Sequence, residues 1–566
     1  MTLLVDYDCR ARMSDGVTLA ADVFRPASAG RYPVILMRTP YGKAGWPLVA
    51  GTGADPLAFA RKGYAVVLQD CRGTGASGGL FRGLKDEGAD GAETIAWAAS
   101  QPWSNGRVAM IGGSYLGGTQ LLAASEAPPA LQAITPYVTS GWETRHQGGA
   151  FRLGVGLAWC AAMALAVLNR QDTADADTAA QRERVDGILA DLHGAYRHLP
   201  LVNFAGISPW FEATFGQLLL YPDGDEFLRP GATAEHARTI RTPGLHIAGW
   251  HDFLLDNSLR VFEALRRDAA TEHARENQRL IVTPWGHGPT GETIGDVWLG
   301  PKAQLDFFGV QLQWFDAWLK DAQIEGDRVQ IFVQGANKWR GESDWPLSRA
   351  VPNRWHLHAD GELSRDPPRD APPAEYMYDP SDPVPTTSGQ AAPLGADGAF
   401  AAGPRDRRRL HRRPDVLLYS SDVLSEDYEV TGAVFATLHV ATSALDTDFT
   451  VTLLDVHPDG RAIGITDGIL RLRYRERLDV PQLAEPGRVY EIKVDMVATS
   501  IVFLAGHRIA IEISSSNFPR FDRNPNHGGV IAEATESDFV IARQKIFQDA
   551  SHASYVTLPH VPSSGS

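Results

Sequence analysis

Three residues of this 566-residue chain, far apart in sequence, have the types and settings that nucleophilic catalysis needs: Ser114, Asp252 and His287. Ser114 lies in RVAMIGGSYLGG, an apolar run that enters a glycine-rich turn and continues into a helical pattern. A strand–turn–helix of this kind lifts a serine hydroxyl above the end of a sheet, on a turn so sharp that its neighbours must be small. Gly112 and Gly113 meet that need on the incoming side. Two residues beyond the serine stands Leu116, with Gly117 one later, so the common G-x-S-x-G spacing is not met. A serine in such a turn can also simply cap the helix that follows. Its partners decide between the two roles.

In a triad of this order the acid follows the serine and the base comes last, each on a loop just past the C-terminal end of a strand. The run GLHIA leads into Gly249-Trp250-His251-Asp252, and RLIV leads into Thr283-Pro284-Trp285-Gly286-His287. His287 would then take the proton from Ser114 and return it to the leaving group, while Asp252 would hold the imidazole in the required tautomer. Asp252 could instead cap a helix starting near Leu254, and with 17 histidines in the chain a single one is more often packed or exposed than catalytic. His251 and His246 compete with His287. His251 shares the loop of the acid, whereas the base needs a strand–loop of its own, and His246 sits inside a strand.

The elements that must carry these residues are legible as short apolar runs. CRARM and VTLAADVFRP flank Ser14-Asp15-Gly16, a hairpin signal. PVILM, YAVVL, RVAMI, LQAI, GLHIA and RLIV follow, several of them separated by helical segments such as 90–99 and 118–124. Near-continuous apolar strands alternating with helices predict a parallel sheet covered on both faces. Between about 141 and 241 an Ala-, Leu-, Gln- and Arg-rich stretch reads as helices inserted into that sheet domain, a cap. Gln304–Lys320 reads as the last large core helix. From about Val351 proline becomes dense, and then VFATLHVAT, DFTVTLLDV, VYEIKVDMVA and HRIAIEISSS alternate with period two, which predicts an antiparallel sandwich or jelly roll.

Composition narrows the partners. A formal net charge of −15 argues against nucleic acid and against anionic membranes. Three scattered cysteines, Cys9, Cys71 and Cys160, form neither a disulfide framework nor a zinc motif. The first residues lack a basic and then apolar leader, and the most apolar later stretch, 155–168, is too short to span a bilayer, so the expected compartment is the cytoplasm. Gly73-Thr74-Gly75-Ala76-Ser77-Gly78 after a strand matches a dinucleotide fingerprint formally, but Gly79–Gly83 continues as loop where a helix should open, so no nicotinamide site is expected. Asp446, Asp448, Asp455 and Asp467 fit solvated strand ends as well as any ligand cluster, so no metal is implied and no cofactor is expected. A homo-oligomer is allowed by these features and not required.

Together the residues resemble the cocaine-esterase-like (CocE/NonD) serine hydrolases, kin to Xaa-Pro dipeptidyl peptidases and α-amino acid ester hydrolases. The resemblance lies in RTPYGK (38–43), QDCRGTGASGG (69–79), QPWSNGRVAMIGGSYLG (101–117), GWHDFLLDNSL (249–259), TPWGHG (283–288), WFDAWLK (314–320) and YDPSDPVPTTSG (378–389), which follow family order over nearly the whole chain. It implies an α/β-hydrolase core at 1–140 and 242–350, a helical cap at 141–241 and a C-terminal jelly roll at 351–566. It implies the same triad, a G-x-S-Y-x-G nucleophile motif that accommodates Leu116, and an oxyanion hole made by the Tyr41 hydroxyl and the Tyr115 backbone N–H. A phenol is neutral near pH 7 and can donate one hydrogen bond.

Amino acid ester hydrolases carry a Glu-Asp pair two and three residues after the triad aspartate, where this chain has Leu254 and Leu255. An apolar pair cannot compensate a buried ammonium, and Asp256 lies one step further on. Esters of small, neutral, apolar acyl groups are therefore the expected substrates. Trp142, Phe151 and Trp159 at the start of the cap, with Phe253 and Leu254 beside the acid, are the expected pocket walls; each cap aromatic could equally pack helices together. An amidase or exopeptidase, an acyltransferase with the same triad, and a carbohydrate-binding protein are the competing readings.

Overall fold

The apolar runs become buried strands because each is covered from both sides. The computed structural model describes residues 2–45, 53–139, 146–171, 175–219, 232–391 and 403–562. Ten strands form one sheet: β1 (Leu3–Arg12), β2 (Thr18–Pro26), β3 (Tyr32–Thr39), β4 (Ala65–Asp70), β5 (Ser104–Ser114), β6 (Leu131–Thr139), β7 (Gly244–Gly249), β8 (Gln278–Thr283), β9 (Val329–Val333) and β10 (Lys338–Glu342). Their spatial order is β1-β2-β4-β3-β5-β6-β7-β8-β9-β10. From β4 to β9 all neighbours are parallel. The sheet is nevertheless mixed, because β1 and β2 join antiparallel at one edge and β10 at the other. The short links β1–β2 and β9–β10 permit only hairpins, since a parallel return needs a crossover of a dozen residues or more.

The longer helices are α1 (Glu87–Ala99), α2 (Tyr115–Ser125), α3 (Leu153–Leu168), α4 (Ala176–Ala190), α5 (Leu255–Asp268) and α6 (Phe307–Lys320). Ile95 of α1, Leu121 of α2 and Leu265 of α5 cover one face of the sheet, over Leu36 and Met110. Trp314 and Phe315 of α6 cover the other, over Ile35 and Ile111. The helix expected from Gln304 starts at Phe307, because the Asp306 side chain caps it by accepting from the Gly309 N–H at 2.9 Å. In α5, Leu255, Leu259, Phe262 and Leu265 are buried while Arg260 and Arg267 face water, the spacing of an amphipathic helix.

The chain between β6 and β7 supplies α3, α4 and shorter helices with their own aromatic core around Phe211 and Phe215. β6 and β7 pair directly, Ile134 beside Gly244, so the insertion leaves the sheet uninterrupted.

Eleven strands follow: β11 (Val351–Leu357), β12 (Leu363–Ser364), β13 (Ala374–Tyr378), β14 (Leu417–Ser420), β15 (Tyr428–Thr442), β16 (Asp448–Val456), β17 (Ala462–Arg471), β18 (Tyr490–Phe503), β19 (Arg508–Ser514), β20 (Ala542–Phe547) and β21 (Tyr555–His560). β12-β11-β21-β15-β20-β13, with β18 also on β15, make one sheet, and β14-β19-β16-β17 make the other. Alternate residues, among them Val430, Leu438, Leu453, Val494 and Ile511, fill the space between. The four aspartates read as solvated strand ends are instead buried. Asp446 pairs with Arg473 at 2.7 Å, Asp448 with Arg471 at 2.9 Å and Asp467 with Arg520 at 2.6 Å, while Asp455 meets His507. Buried carboxylates persist because each has a cation or donor beside it, and sequence spacing does not reveal partners that lie on other strands.

Among the described residues no helix is long and apolar enough to cross a membrane.

Candidate active site

Ser114 ends β5 and the next residue opens α2, so the chain must reverse within one residue. It does so with Ser114 at φ 56° and ψ −124°, a left-handed conformation costly for a residue with a Cβ. The turn closes only over glycines. A Cβ on Gly113 would lie 2.1 Å from the Tyr137 ring, and one on Gly117 would lie 2.5 Å from Thr139 Oγ1. The outgoing glycine is thus needed at Gly117, three residues after the serine, and Leu116 is accommodated.

β7 and β8, second and third along the sheet from β5, deliver the acid and the base. Asp252 is fully buried in the turn after β7, where its N–H donates to the Gly249 carbonyl at 3.0 Å. His287 lies in the loop after β8, with Nδ1 2.8 Å from Asp252 Oδ1. A carboxylate only accepts, so Nδ1 carries the proton and Nε2 presents its lone pair. The Phe253 ring lies 4.4 Å from the His287 ring and backs it. The competing histidines are committed elsewhere. His246 Nε2 meets Gln278 Oε1 at 2.9 Å and His251 Nε2 meets Gln334 Oε1 at 2.7 Å. Burial pulls both pKa values down to about 4, so they stay neutral inside the fold.

Tyr41, in the loop after β3, is half-exposed, and its hydroxyl oxygen accepts from Trp159 Nε1 at 3.3 Å. Trp159 comes from α3 in the cap, and its ring stacks on Tyr115 at 5.9 Å with the planes 19° apart. The Tyr115 ring is buried and its hydroxyl donates to Glu87 Oε1 at 2.9 Å. Burial, and then the Glu87 carboxylate, hold this phenol well above its ordinary pKa. Two further aromatics join this cluster, and sequence reading missed both. Trp210 lies 6.3 Å from Trp159, and Phe81 stacks on Trp210 at 5.9 Å. Phe81 follows the formal dinucleotide fingerprint, whose glycines serve packing: a Cβ on Gly75 would lie 2.2 Å from the Asp70 carboxylate.

The remaining expected pocket residues divide. Trp142 lies outside the described residues. Phe151 is buried against Phe215 inside the cap, a packing role. Phe253 and Leu254 form an apolar pair with half-buried Val155, and Phe253 and Val155 line a pocket closed by Tyr196 and Arg152 of the cap region and by Gln390 and Arg520 of the C-terminal part. Leu255 is fully buried among Trp250 and Val333, away from that pocket. Asp256 is held by the buried Arg152 guanidinium at 2.7 Å, which also donates to the Phe253 carbonyl at 2.6 Å.

Among the described residues one group of side chains has metal-ligand geometry, Asp455, His457 and His507, and it belongs to the C-terminal sandwich.

The chain is similar to known proteins along nearly its whole length. Residues 15–289 match the family model of X-Pro dipeptidyl-peptidase (S15 family), and residues 325–557 match that of the X-Pro dipeptidyl-peptidase C-terminal non-catalytic domain. The chain is 38% identical to a cocaine esterase of Rhodococcus sp. (strain MB1 Bresler), covering 97% of both proteins. Among solved structures it superposes on an aminopeptidase from a marine sediment archaeon, Thaumarchaeota archaeon, with TM-score 0.82 and 26% identity, covering 99% of this chain and 96% of that one. An α-amino acid ester hydrolase shares the fold with TM-score 0.78 at 24% identity, over 99% of this chain and 96% of that one.

Proposed function

Since this chain belongs to the cocaine-esterase-like (CocE/NonD) family and is a serine carboxylesterase of that type, we propose that it cleaves esters of small, neutral, apolar acyl groups through an acyl-enzyme on Ser114. The observation that carries the reading is the 2.8 Å contact between His287 Nδ1 and Asp252 Oδ1, on neighbouring strand ends of the sheet that also carries Ser114.

In this reading His287 Nε2 takes the Ser114 hydroxyl proton as Oγ attacks the ester carbonyl. The imidazolium so formed is stabilised by Asp252, and its proton passes to the departing alkoxide. Water then enters, gives a proton to Nε2 as its oxygen bonds to the acyl carbon, and the acid is released when the bond to Ser114 Oγ breaks and that proton returns to Oγ. The negative oxygen of each tetrahedral intermediate is met by the Tyr41 hydroxyl and the Tyr115 N–H. The second donor stands at the start of α2, where the helix dipole adds positive potential.

The acyl preference follows from the wall. Trp159, Phe253 and Leu254 are apolar, and the carboxylates flanking Phe253 and Leu254 in the chain are already committed, Asp252 to His287 and Asp256 to Arg152. An ammonium placed there would lose its hydration without gaining a counter-ion, a cost of several kcal/mol. The match to the S15 model keeps amides of uncharged acyl groups as the second reading. The test compares p-nitrophenyl butyrate with the matching anilide, and a phenylacetate ester with the phenylglycine ester, for wild type and Ser114→Ala. Fast ester and slow anilide turnover, both lost in the variant, support the esterase reading. Comparable anilide turnover moves the enzyme to the amidases. Faster turnover of the phenylglycine ester overturns the acyl preference.

A further inference from the structure

The C-terminal sandwich carries a second constellation that the ester chemistry does not use. β16 ends at Val456, and His457-Pro458-Asp459-Gly460-Arg461 turns the chain into β17. The turn is closed by His457 N–H to the Arg461 carbonyl at 2.8 Å and by Gly460 N–H to the His457 carbonyl at 2.9 Å. Asp455 and His457 are two residues apart on an extended chain, so their side chains leave on the same face. β19 runs antiparallel beside β16 with Val456 opposite Arg508, which brings His507 opposite His457. Three side chains thus converge by strand periodicity and register alone.

Their distances put all three within reach of one ion. His507 Nδ1 is 2.8 Å from Asp455 Oδ1, His457 Nε2 is 3.4 Å from Asp455 Oδ2, and the two rings are 4.4 Å apart. One ligand atom from each residue lies within 4.8 Å of the others. Bonds of about 2.0–2.1 Å in a tetrahedron place ligand atoms about 3.3 Å apart. Asp455 and His507 are buried, whereas His457 is half-buried at the turn, which leaves one side open for entry and for a water ligand.

We infer that Asp455, His457 and His507 bind a divalent transition-metal ion of the zinc class, with His457 Nε2, His507 Nδ1 and one Asp455 oxygen as ligands and water in the fourth position. Two imidazoles and a single carboxylate suit zinc and its first-row neighbours. Calcium and magnesium want six or more oxygens, which this site does not offer. Asp455 supplies one negative charge. Each ring must carry its remaining proton on the nitrogen facing away from the ion. For His457 that nitrogen is Nδ1, which lies 3.4 Å from Arg461 Nη2. Arg461 must therefore draw back towards Asp459, to which its Nε is bonded at 2.7 Å. The ion would clip the β16–β17 turn to β19, a structural role apart from the serine chemistry.

The test uses full-length protein stripped with a chelator, dialysed against Zn²⁺ and analysed for metal content, with the electronic spectrum of the Co²⁺ form as a geometric readout. Expected are one equivalent per chain, a tetrahedral Co²⁺ spectrum and a metal-dependent rise in melting temperature. All three should be lost in His457→Ala and in His457→Gln, while p-nitrophenyl butyrate turnover is unchanged. Arg461→Gln should bind more tightly, because it removes the competing charge. Failure of wild type to retain an equivalent overturns the inference, and so does equal retention by the two His457 variants. In the latter case the metal sits on other histidines.

Discussion

The indole N–H of Trp159 lies 3.3 Å from the Tyr41 hydroxyl oxygen, while the same ring stacks over Tyr115. One cap residue therefore bonds to one proposed oxyanion donor and stacks on the side chain of the residue whose backbone N–H is the other. A phenol oxygen that accepts from an indole can still donate through its own hydrogen, and the donation it receives strengthens the bond it gives.

Tyr41→Phe removes a donor from the oxyanion hole, and the expected loss in kcat is about 10²–10³. Trp159→Phe keeps a stacking ring but deletes the N–H, and the expected loss is roughly 2- to 10-fold in kcat, the worth of one hydrogen bond. The decisive measurement is the double variant. If Trp159 acts through the Tyr41 hydroxyl, Trp159→Phe costs nothing further in the Tyr41→Phe background. Additive losses assign Trp159 to packing, and an unimpaired Tyr41→Phe removes the tyrosine from the oxyanion hole.

Asp252→Asn preserves size and burial but replaces an acceptor pair with an amide that can donate to His287. The imidazole can then present the wrong tautomer to Ser114, and the expected drop in kcat is about 10⁴, with a small change in KM. His251→Asn, one residue away, should cost far less, because His251 is bonded to Gln334 rather than to the triad. Steady-state kinetics on both variants check the assignment of the acid loop.

The sequence was readable wherever chemistry and local periodicity coincide. Ser114, Asp252 and His287 each follow an apolar run, and all three runs are strands. The cap was visible as a change of texture, and the sandwich as a switch to period two. What stayed hidden depends on contacts between distant segments. Nothing in the sequence around Trp210 or Phe81 ties them to Trp159, since the cap and the loop after β4 meet only in three dimensions. The buried aspartates of the sandwich misled for the same reason: their arginines lie on other elements. The elbow glycine at 117 was explicable only once Thr139 on the neighbouring strand was in view.

Beneath the elbow Glu87 accepts from Tyr115 and pairs with Arg38 at 2.5 Å, and Arg38 is fully buried. Asp90 is 3.8 Å from Arg38 but is bonded to Arg72 at 2.5 Å. Glu87→Gln leaves the Arg38 charge short of its main partner, and breaking a buried pair of this kind costs about 3–5 kcal/mol. The urea midpoint should fall with m unchanged. A loss below about 1 kcal/mol would mean that Asp90 compensates in full.

Acid should weaken the fold through His246 and His251. Both have folded-state pKa values lowered from 6.5 to about 4 by burial. The unfolded chain therefore binds more protons than the folded one between about pH 6.5 and 4, and stability rises with pH across that window. Each histidine contributes at most about 1.4 kcal/mol per pH unit there, and nothing below the window or above it. His251→Gln can still donate to Gln334 and has no proton to bind. Relative to wild type, this variant should gain stability steadily as pH falls from about 6.5 to about 4, with the difference flat at higher pH. Urea midpoints for the two proteins at several pH values measure this. A difference independent of pH across the window would mean that His251 charges as readily in the folded chain as in the unfolded one.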